Sequence, residues 1–308
     1  MTVDPILTLQ TFGYTEREAS FLYLVAVHSG YFLRRQFDYF IDRNKGAIAQ
    51  SFLEKARVAR HIEVIDYGES RHVYHLFSKP IYRLLGNAES QNRRRKGDGL
   101  IRARLIALDY VLEHDGAHYL ESDEDRTHFF GRVRQVPSEL FSDHNGKLFA
   151  ALTTFPISVV DRTQPATSLV RFLFADEALL STVKFSRFLS VIERLLRALG
   201  AFEVVYASNS AHNFENAESE FRARFAVTAP AKQRALSAEW RNDSFARNAR
   251  ESSPLHTEFT TLLFHYNYPR IRRNESPSLA LVRPSGLVVE KKITAIATDS
   301  KAGGSYPG

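Results

Sequence analysis

The chain has 308 residues, of which 44% are hydrophobic and 25% are charged, so it is long enough for two domains with ordinary cores. It contains no cysteine, which excludes disulfides, thiol catalysis and cysteine-based zinc or iron–sulfur sites. No apolar run approaches the ~20 residues of a membrane span, and Asp4 stands where a signal peptide needs basic residues. We therefore expect a cytoplasmic protein without a membrane partner.

The positive charge is concentrated in one part of the chain. The whole sequence carries 41 basic and 35 acidic residues, a net charge of +6. Between Tyr31 and Leu108 there are 16 basic and 8 acidic residues, so this quarter alone carries +8 and the remainder is slightly acidic. A local basic excess is typical of a module that binds a polyanion, although a basic domain without a nucleic-acid partner has the same composition.

Three helices and a hairpin are predicted in the first 86 residues. Thr15 and Glu18 have the spacing of a capping box and begin the first helix, which ends near Ser29. A second helix is predicted in FLRRQFDYFID, and a third in AIAQSFLEKARVAR with Ile48 and Phe52 inward. HIEVIDY and RHVYHLF alternate around a polar turn and predict a β-hairpin, and KPIYRLLG predicts a short closing helix.

This order is that of a winged helix-turn-helix, whose third helix enters the major groove of double-stranded DNA while the hairpin contacts the backbone or the minor groove. We therefore predict a winged-helix DNA-binding domain over residues 1–86. In its third helix, Gln50 and Ser51 suit base edges, whereas basic side chains suit phosphates. The predicted DNA-binding residues are Gln50, Ser51, Lys55, Arg57, Arg60, Arg71, Arg93, Arg94, Arg95 and Lys96.

The rest of the chain is predicted to form a linker, an α/β domain and a tail. Residues 87–99 are polar, glycine-punctuated and basic, as in a linker. Residues 100–290 contain strand-like runs such as SLVRFLFAD, a long amphipathic helix and a buried strand, AFEVVYAS. Strand, helix and strand in this order predict a right-handed crossover and a small mixed sheet, so the fold class is α+β or α/β. The small and polar residues 291–308 are predicted to be a disordered tail.

Several strings resemble the replication-relaxation family of bacterial plasmids and mobile elements. They are FLRRQFDYFI, SFLEKARVARHIEVI, HVYHLFSKPIYRLLG, FPISVVD, LVRFLFAD, KFSRFLSVIERLLRAL and FEVVYAS, which span about residues 10–225. The resemblance implies a winged helix followed by a domain with a degenerate restriction-endonuclease fold. It also implies a DNA-binding regulator of transcription, or of plasmid or mobile-element replication.

A metal-dependent nuclease is the first alternative. Such a site needs an acid on one strand and acid-x-Lys on the next, so that carboxylates hold Mg²⁺ and lysine orients the attacking water. Asp161 and Asp176 end two predicted strands, but no lysine follows at the required spacing and Lys184 lies in the next helix. We therefore predict strand-end and helix-capping acids, with no catalytic residue, no metal and no cofactor.

A protein–protein adaptor is the second alternative, because winged helices also mediate protein contacts and a fold does not fix a function. The second domain is expected to serve either homodimerisation or the binding of another partner.

Overall fold

The described part of the protein combines α-helices with two small β-sheets. The structure is a computed structural model and describes residues 4–42, 47–68, 71–114, 116–142, 146–160, 168–177, 182–199, 201–209, 213–225 and 289–296. The helices are α1 (Pro5–Gln10), α2 (Glu16–His28), α3 (Arg34–Phe40), α4 (Ala47–Val58), α5 (Lys79–Leu84), α6 (Asp98–Glu113), α7 (Asp123–Thr127), α8 (Lys147–Thr154), α9 (Val183–Leu199) and α10 (Phe214–Phe225). The strands are β1 (Tyr31–Phe32), β2 (Ile62–Asp66), β3 (His72–Leu76), β4 (His118–Tyr119), β5 (Ile157–Val159), β6 (Val170–Asp176), β7 (Ala201–Ser208) and β8 (Val289–Ile296). The predicted mixed α and β class is confirmed.

The N-terminal elements follow the predicted order, with two additions. The Thr15 hydroxyl accepts from the Glu18 amide, and the Glu18 carboxylate accepts from the Thr15 amide, so the capping box that begins α2 is confirmed. The additions are α1, which is capped by Asp4, and the two-residue strand β1. Strands β1, β3 and β2 form an antiparallel sheet in that order, and β2–β3 is the predicted hairpin.

This first sheet is covered on both faces. Ile62 and Leu76 point to one face and pack with α2, α3 and α4, where the rings of Phe37 and Phe52 stack at 4.2 Å. Val73 points to the opposite face and packs in a separate cluster with residues of α6. Because successive side chains of a strand alternate between faces, α4 and α6 lie on opposite sides of the sheet.

Helix α6 contributes to three clusters at once. Leu108 packs in the core of α2–α4, Ile101 packs on the first sheet, and Ala107 packs on β6 and β7 of the second sheet. A helix that is apolar on every side must be buried, and α6 is buried along most of its length. The N-terminal and C-terminal parts of the protein therefore meet along this helix.

The second sheet is small and mixed. Its order is β4-β5-β6-β7-β8, with β6 and β7 parallel and the other neighbours antiparallel. Helix α9 lies between β6 and β7 in the chain and buries Ile192 and Leu195, as its amphipathic pattern predicts. Val183 belongs to the apolar stripe that the sequence pattern predicts for this helix, but it is 62% exposed at the first turn of α9. None of the described helices has both the length and the hydropathy that a membrane crossing requires.

The first residues of the predicted tail form a strand. Residues 291–296 belong to β8, which pairs with β7 from Ala201 to Ser208. The composition of 291–308 indicated disorder, but this part of it is tied down by the backbone hydrogen bonds of the strand pair. Residues 297–308 lie outside the described ranges, as does Asp161 of the nuclease hypothesis.

Candidate nucleic-acid interface

The exposed face of α4 carries the residues predicted to read bases. The side of α4 that faces the core consists of Ala49, Phe52, Leu53 and Ala56. Gln50 and Ser51 are exposed on the other side. Ile48, which was expected to point inward, is 42% exposed because it lies at the edge of the apolar stripe that these four residues define. The face thus offers an amide, a hydroxyl and an apolar group, and an apolar side chain can contact the methyl group of thymine.

The basic residues of α4 differ in their surroundings. The Arg57 guanidinium pairs with Glu54 at 2.9 Å on the open surface, where the two side chains are 61% and 48% exposed. Exposed pairs of this kind contribute little to stability, so a phosphate could replace the carboxylate. Lys55 instead donates to the Glu18 carboxylate at 2.6 Å and to the Gly13 carbonyl at 3.1 Å. The Lys55 ammonium thereby ties α4 to the start of α2, and its role in DNA binding stays a prediction.

Two further predicted residues are Arg60, which follows α4, and Arg71, which lies in the β2–β3 hairpin. Arg60 is exposed and has a φ of +54°, a left-handed conformation that turns the chain out of α4. At the hairpin, the Tyr67 amide donates to the Arg71 carbonyl and the Arg71 amide donates to the Gly68 carbonyl. Arg71 is thereby held at the base of the turn, and residues 69 and 70 between them lie outside the described ranges.

The basic segment Arg93–Lys96 is fixed to the first sheet. The Lys96 amide donates to the hydroxyl of Tyr31 at 2.7 Å, and that hydroxyl donates to the Arg94 carbonyl at 3.2 Å. The Tyr31 ring stacks on His75 of β3, with 4.4 Å between ring centroids. The backbone of the segment is therefore anchored by side chains of the sheet, and the prediction that residues 87–99 form a linker is corrected.

Asn92 explains why this segment is held in place. It is buried, and its side-chain amide donates to the carbonyls of Ala26 at 3.0 Å and Val27 at 2.8 Å, near the end of α2. These carbonyls belong to the last turn of α2, where backbone carbonyls have no amide donor within the helix. Gly30 permits the approach, because a Cβ there would lie 2.2 Å from the Asn92 carbonyl oxygen. Asn92, a polar residue of the predicted linker, thus completes the end of α2.

The basic segment and the exposed face of α4 lie on different sides of the molecule. Tyr31 and His75, which anchor the segment, point to the face of the first sheet that α6 covers. Near the hairpin, burial raises the pKa of Tyr67 to about 12, and the nearby charges of Arg95 and Arg102 oppose that rise. The structure therefore divides the predicted residues into two groups. Gln50, Ser51, Arg57 and Arg60 share the region of α4, while Arg93–Lys96 lie on the α6 side.

Arg102 was not among the predicted residues. It is exposed on a helix that is mostly buried, and it borders a cavity of about 370 Å³ together with Arg71 and Tyr67. A charged position within an apolar helical run was the only signal in the sequence that could have identified it.

The acids at the end of β6 form ties within the second domain. Asp176 is 5% exposed and accepts hydrogen bonds from the Tyr206 hydroxyl and from the Asn213 amide, the latter at 3.3 Å. Burial and the neighbouring Asp176 raise the pKa of Tyr206 above its ordinary value, so this hydroxyl stays protonated. Glu177 accepts from Lys184. Among the described residues no group of three or more His, Asp or Glu is placed to hold a metal ion.

The capping role predicted for Asp176 is corrected. Helix α9 begins at Val183, well beyond Asp176, and the carboxylate is engaged by side chains from β7 and from the start of α10. The apolar pattern of the sequence already begins at Leu179, so the pattern predicts a helix that starts closer to Asp176 than α9 does.

Comparison with known proteins gives no relative: no family model, no curated protein and no solved structure matches the chain. A function is therefore inferred from the geometry of α4, the hairpin and the basic segment.

Proposed function

We propose that the chain binds double-stranded DNA by placing α4 in the major groove with the β2–β3 hairpin beside it, as a winged helix does. The observation that carries the proposal is the exposed face of α4, where Gln50, Ser51 and Arg57 stand opposite a rigid aromatic core. The order of elements from α2 to β3 and the β1-β3-β2 sheet support it.

The residues of this face have different roles in the proposal. Gln50 suits adenine, to which an amide can both donate and accept, and Ser51 suits either kind of base edge. Arg57 and Arg60 contact phosphates on the flanks of the groove, and Arg71 contacts the backbone from the base of the hairpin. Lys55 is given no contact in this proposal, because its ammonium is paired with Glu18 inside the domain.

Arg93–Lys96 have a secondary role. Because they are anchored on the α6 side of the first sheet, they reach only DNA that extends past the hairpin. Their contribution is sequence-independent and is weakened by salt.

The biological role that we propose is regulation of transcription, or of plasmid or mobile-element replication, in the cytoplasm. This role is supported by the resemblance of the N-terminal strings to replication-relaxation proteins and by the local charge of +8. The second domain would then hold two copies together or bind a partner protein.

The experiment is a fluorescence anisotropy titration of a labelled duplex of random sequence with the full chain. Arg57→Glu is compared with Arg222→Glu, a matched control in α10. Both arginines are exposed, at 61% and 64%, and both pair with a glutamate of their own helix. We expect Arg57→Glu to weaken binding about ten-fold for all sequences, with a lower slope against log salt, and Arg222→Glu to bind as the parent does.

A second arm tests base reading by selecting sites from random duplexes with the parent and with Gln50→Ala. We expect the variant to lose a preference at one or two positions of the selected site. Absence of binding at low salt, or equal loss in Arg57→Glu and Arg222→Glu, would refute the proposal. Cleavage of the duplex on addition of Mg²⁺ would instead favour the nuclease hypothesis.

A further inference from the structure

Arg104 of α6 is a buried guanidinium that has no carboxylate partner among the described residues. The residue is 4% exposed, and its only hydrogen bond among the described residues runs from Nη1 to the His28 carbonyl at 3.3 Å. Its Nε has no hydrogen-bond partner there. Burial lowers the pKa of Arg104 to about 10, with Tyr82 and Tyr31 opposing the shift, so the side chain is still a cation at neutral pH. A buried and unpaired charge is strongly unfavourable unless something compensates it.

Arg104 borders a cavity of about 300 Å³ at the junction of the two halves of the protein. One wall comes from the end of α2 and from the segment that holds Ser90 and Asn92. The other wall comes from the region of β4 and α7, from Thr153 of α8 and from Phe155, which follows that helix. The space is much larger than a single water needs and lies at the small end of the range of ligand sites.

The acidic residues around this cavity already have partners. The pairs are Glu121 with the Tyr23 hydroxyl, Asp123 with Arg126, and Glu89 with Lys79. Glu121 also lies 3.7 Å from Nε2 of His28. Within the described ranges, none of these carboxylates forms an ion pair with Arg104, so among those residues its charge has no direct carboxylate partner.

We propose that this cavity binds a small oxyanion, the carboxylate or phosphate group of a compact ligand, against the guanidinium of Arg104. A guanidinium presents donors in a planar fork that matches the oxygens of these two groups. The side-chain amides and hydroxyls of the wall, such as Ser90 and Thr153, can bind the rest of a polar ligand. The site lies away from the exposed face of α4 and does not depend on DNA binding.

The test uses the full chain and two probes, inorganic phosphate and acetate, with sodium chloride at equal ionic strength as reference. We expect at least one probe to raise the Tm saturably, because a ligand that binds only the folded state stabilises it. The matched pair of variants is Arg104→Met and Arg102→Met, which remove a buried and an exposed arginine from the same helix. Binding should weaken at least ten-fold in Arg104→Met and be unchanged in Arg102→Met.

The same variants separate binding from a structural role. Without any probe, Arg104→Met should have a Tm at or above that of the parent, because the substitution removes a buried charge that has no carboxylate partner among the described residues. Thr153→Trp fills the cavity and leaves Arg104 in place, so it should abolish the response to the probe even if Arg104→Met does not fold. Calorimetric titration of the parent protein gives the affinity directly.

Each outcome bears on the proposal. A response to phosphate alone assigns a phosphate ester, a response to acetate alone assigns a carboxylate, and a response to both assigns an oxyanion site of broad specificity. No saturable response beyond chloride would overturn the proposal, as would equal binding by Arg104→Met. A strongly lowered Tm of Arg104→Met together with an unresponsive parent would identify Arg104 as a structural residue only.

Discussion

Replacing Asp109 by alanine should loosen the attachment of α6 to α3 and lower the free energy of unfolding by about 3 kcal/mol. Asp109 is 5% exposed, and its carboxylate accepts two hydrogen bonds from the Arg35 guanidinium, each 2.8 Å long. A third bond of 2.8 Å comes from the side-chain amide of Gln36. The ion pair of Arg35 and Asp109 joins α3 to α6. Helix α3 packs beside α4, and α6 is the helix along which both halves of the protein meet.

The magnitude follows from these contacts. Hydrogen bonds to charged groups contribute roughly 1.5–3 kcal/mol each, so the two bonds from Arg35 set an upper limit near 6 kcal/mol. The Arg35 side chain is 33% exposed, so water can solvate it after the substitution and much of that cost is recovered. Gln36 keeps its hydrogen bond to the Leu105 carbonyl at 2.9 Å. The expected net loss in the free energy of unfolding is therefore about 3 kcal/mol, which for a protein of this size lowers the Tm by roughly 6–12 °C.

The assay is urea denaturation followed by circular dichroism, with Asp38→Ala as the control. Asp38 pairs with Arg34, the neighbour of Arg35, at 3.6 Å, and these side chains are 24% and 49% exposed. Because Arg34 is exposed and the two groups are 3.6 Å apart, losing this solvent-accessible pair should cost less than about 1 kcal/mol. A double-mutant cycle of Arg35→Met with Asp109→Ala should give a coupling above about 1 kcal/mol. Equal destabilisation by Asp109→Ala and Asp38→Ala would refute the reasoning.

Gly30→Ala should cost at least about 3 kcal/mol, because its φ is +81° and a Cβ would lie 2.2 Å from the Asn92 carbonyl oxygen. Gly13→Ala, with a φ of +83° and no atom within 4 Å, should cost only about 1–2 kcal/mol, and chemical denaturation that shows equal losses would contradict this. Burial lowers the pKa of His61, whose Nδ1 lies 2.7 Å from the Tyr14 hydroxyl, so unfolding takes up a proton once the pH falls below the ordinary histidine value of about 6.5. The stability due to the neutral ring is complete above that pH and is lost as the pH falls toward the lowered folded-state pKa. His61→Gln should therefore lose less stability than the parent between pH 7.5 and pH 5.5, as measured by urea unfolding at both values.

Local patterns predicted most of the helices and strands. The capping box at Thr15 and Glu18 fixes the start of α2, since both partners lie within one turn of the chain. The strand–helix–strand order around α9 predicted the parallel pair of β6 and β7. The strand β1 was missed because two residues are too short for an alternating pattern, and it exists only because Tyr31 and Phe32 pair with β3.

The candidate site was predicted only in part. Gln50 and Ser51 could be identified because the apolar spacing of α4 fixes which side faces the core. The pairing of Lys55 could not be predicted, because its partner Glu18 lies 37 positions away in sequence. Whether a basic side chain points toward solvent or toward an acid of another helix depends on tertiary contacts and not on its neighbours in the chain.

The sequence by itself determined the order of elements, the amphipathic face of α4 and the local excess of positive charge, because these depend on residues close together in the chain. Tertiary structure alone decided where that charge lies. Arg93–Lys96 are directed to the α6 side because Asn92 completes the end of α2 and Tyr31 holds the backbone of the segment. Arg104 was one arginine among many in the sequence, and only the packing of α6 between two sheets leaves it buried beside a cavity, with no ion pair to a described carboxylate. Burial and pairing are properties of contacts between distant segments, and they determine what a charged side chain can bind.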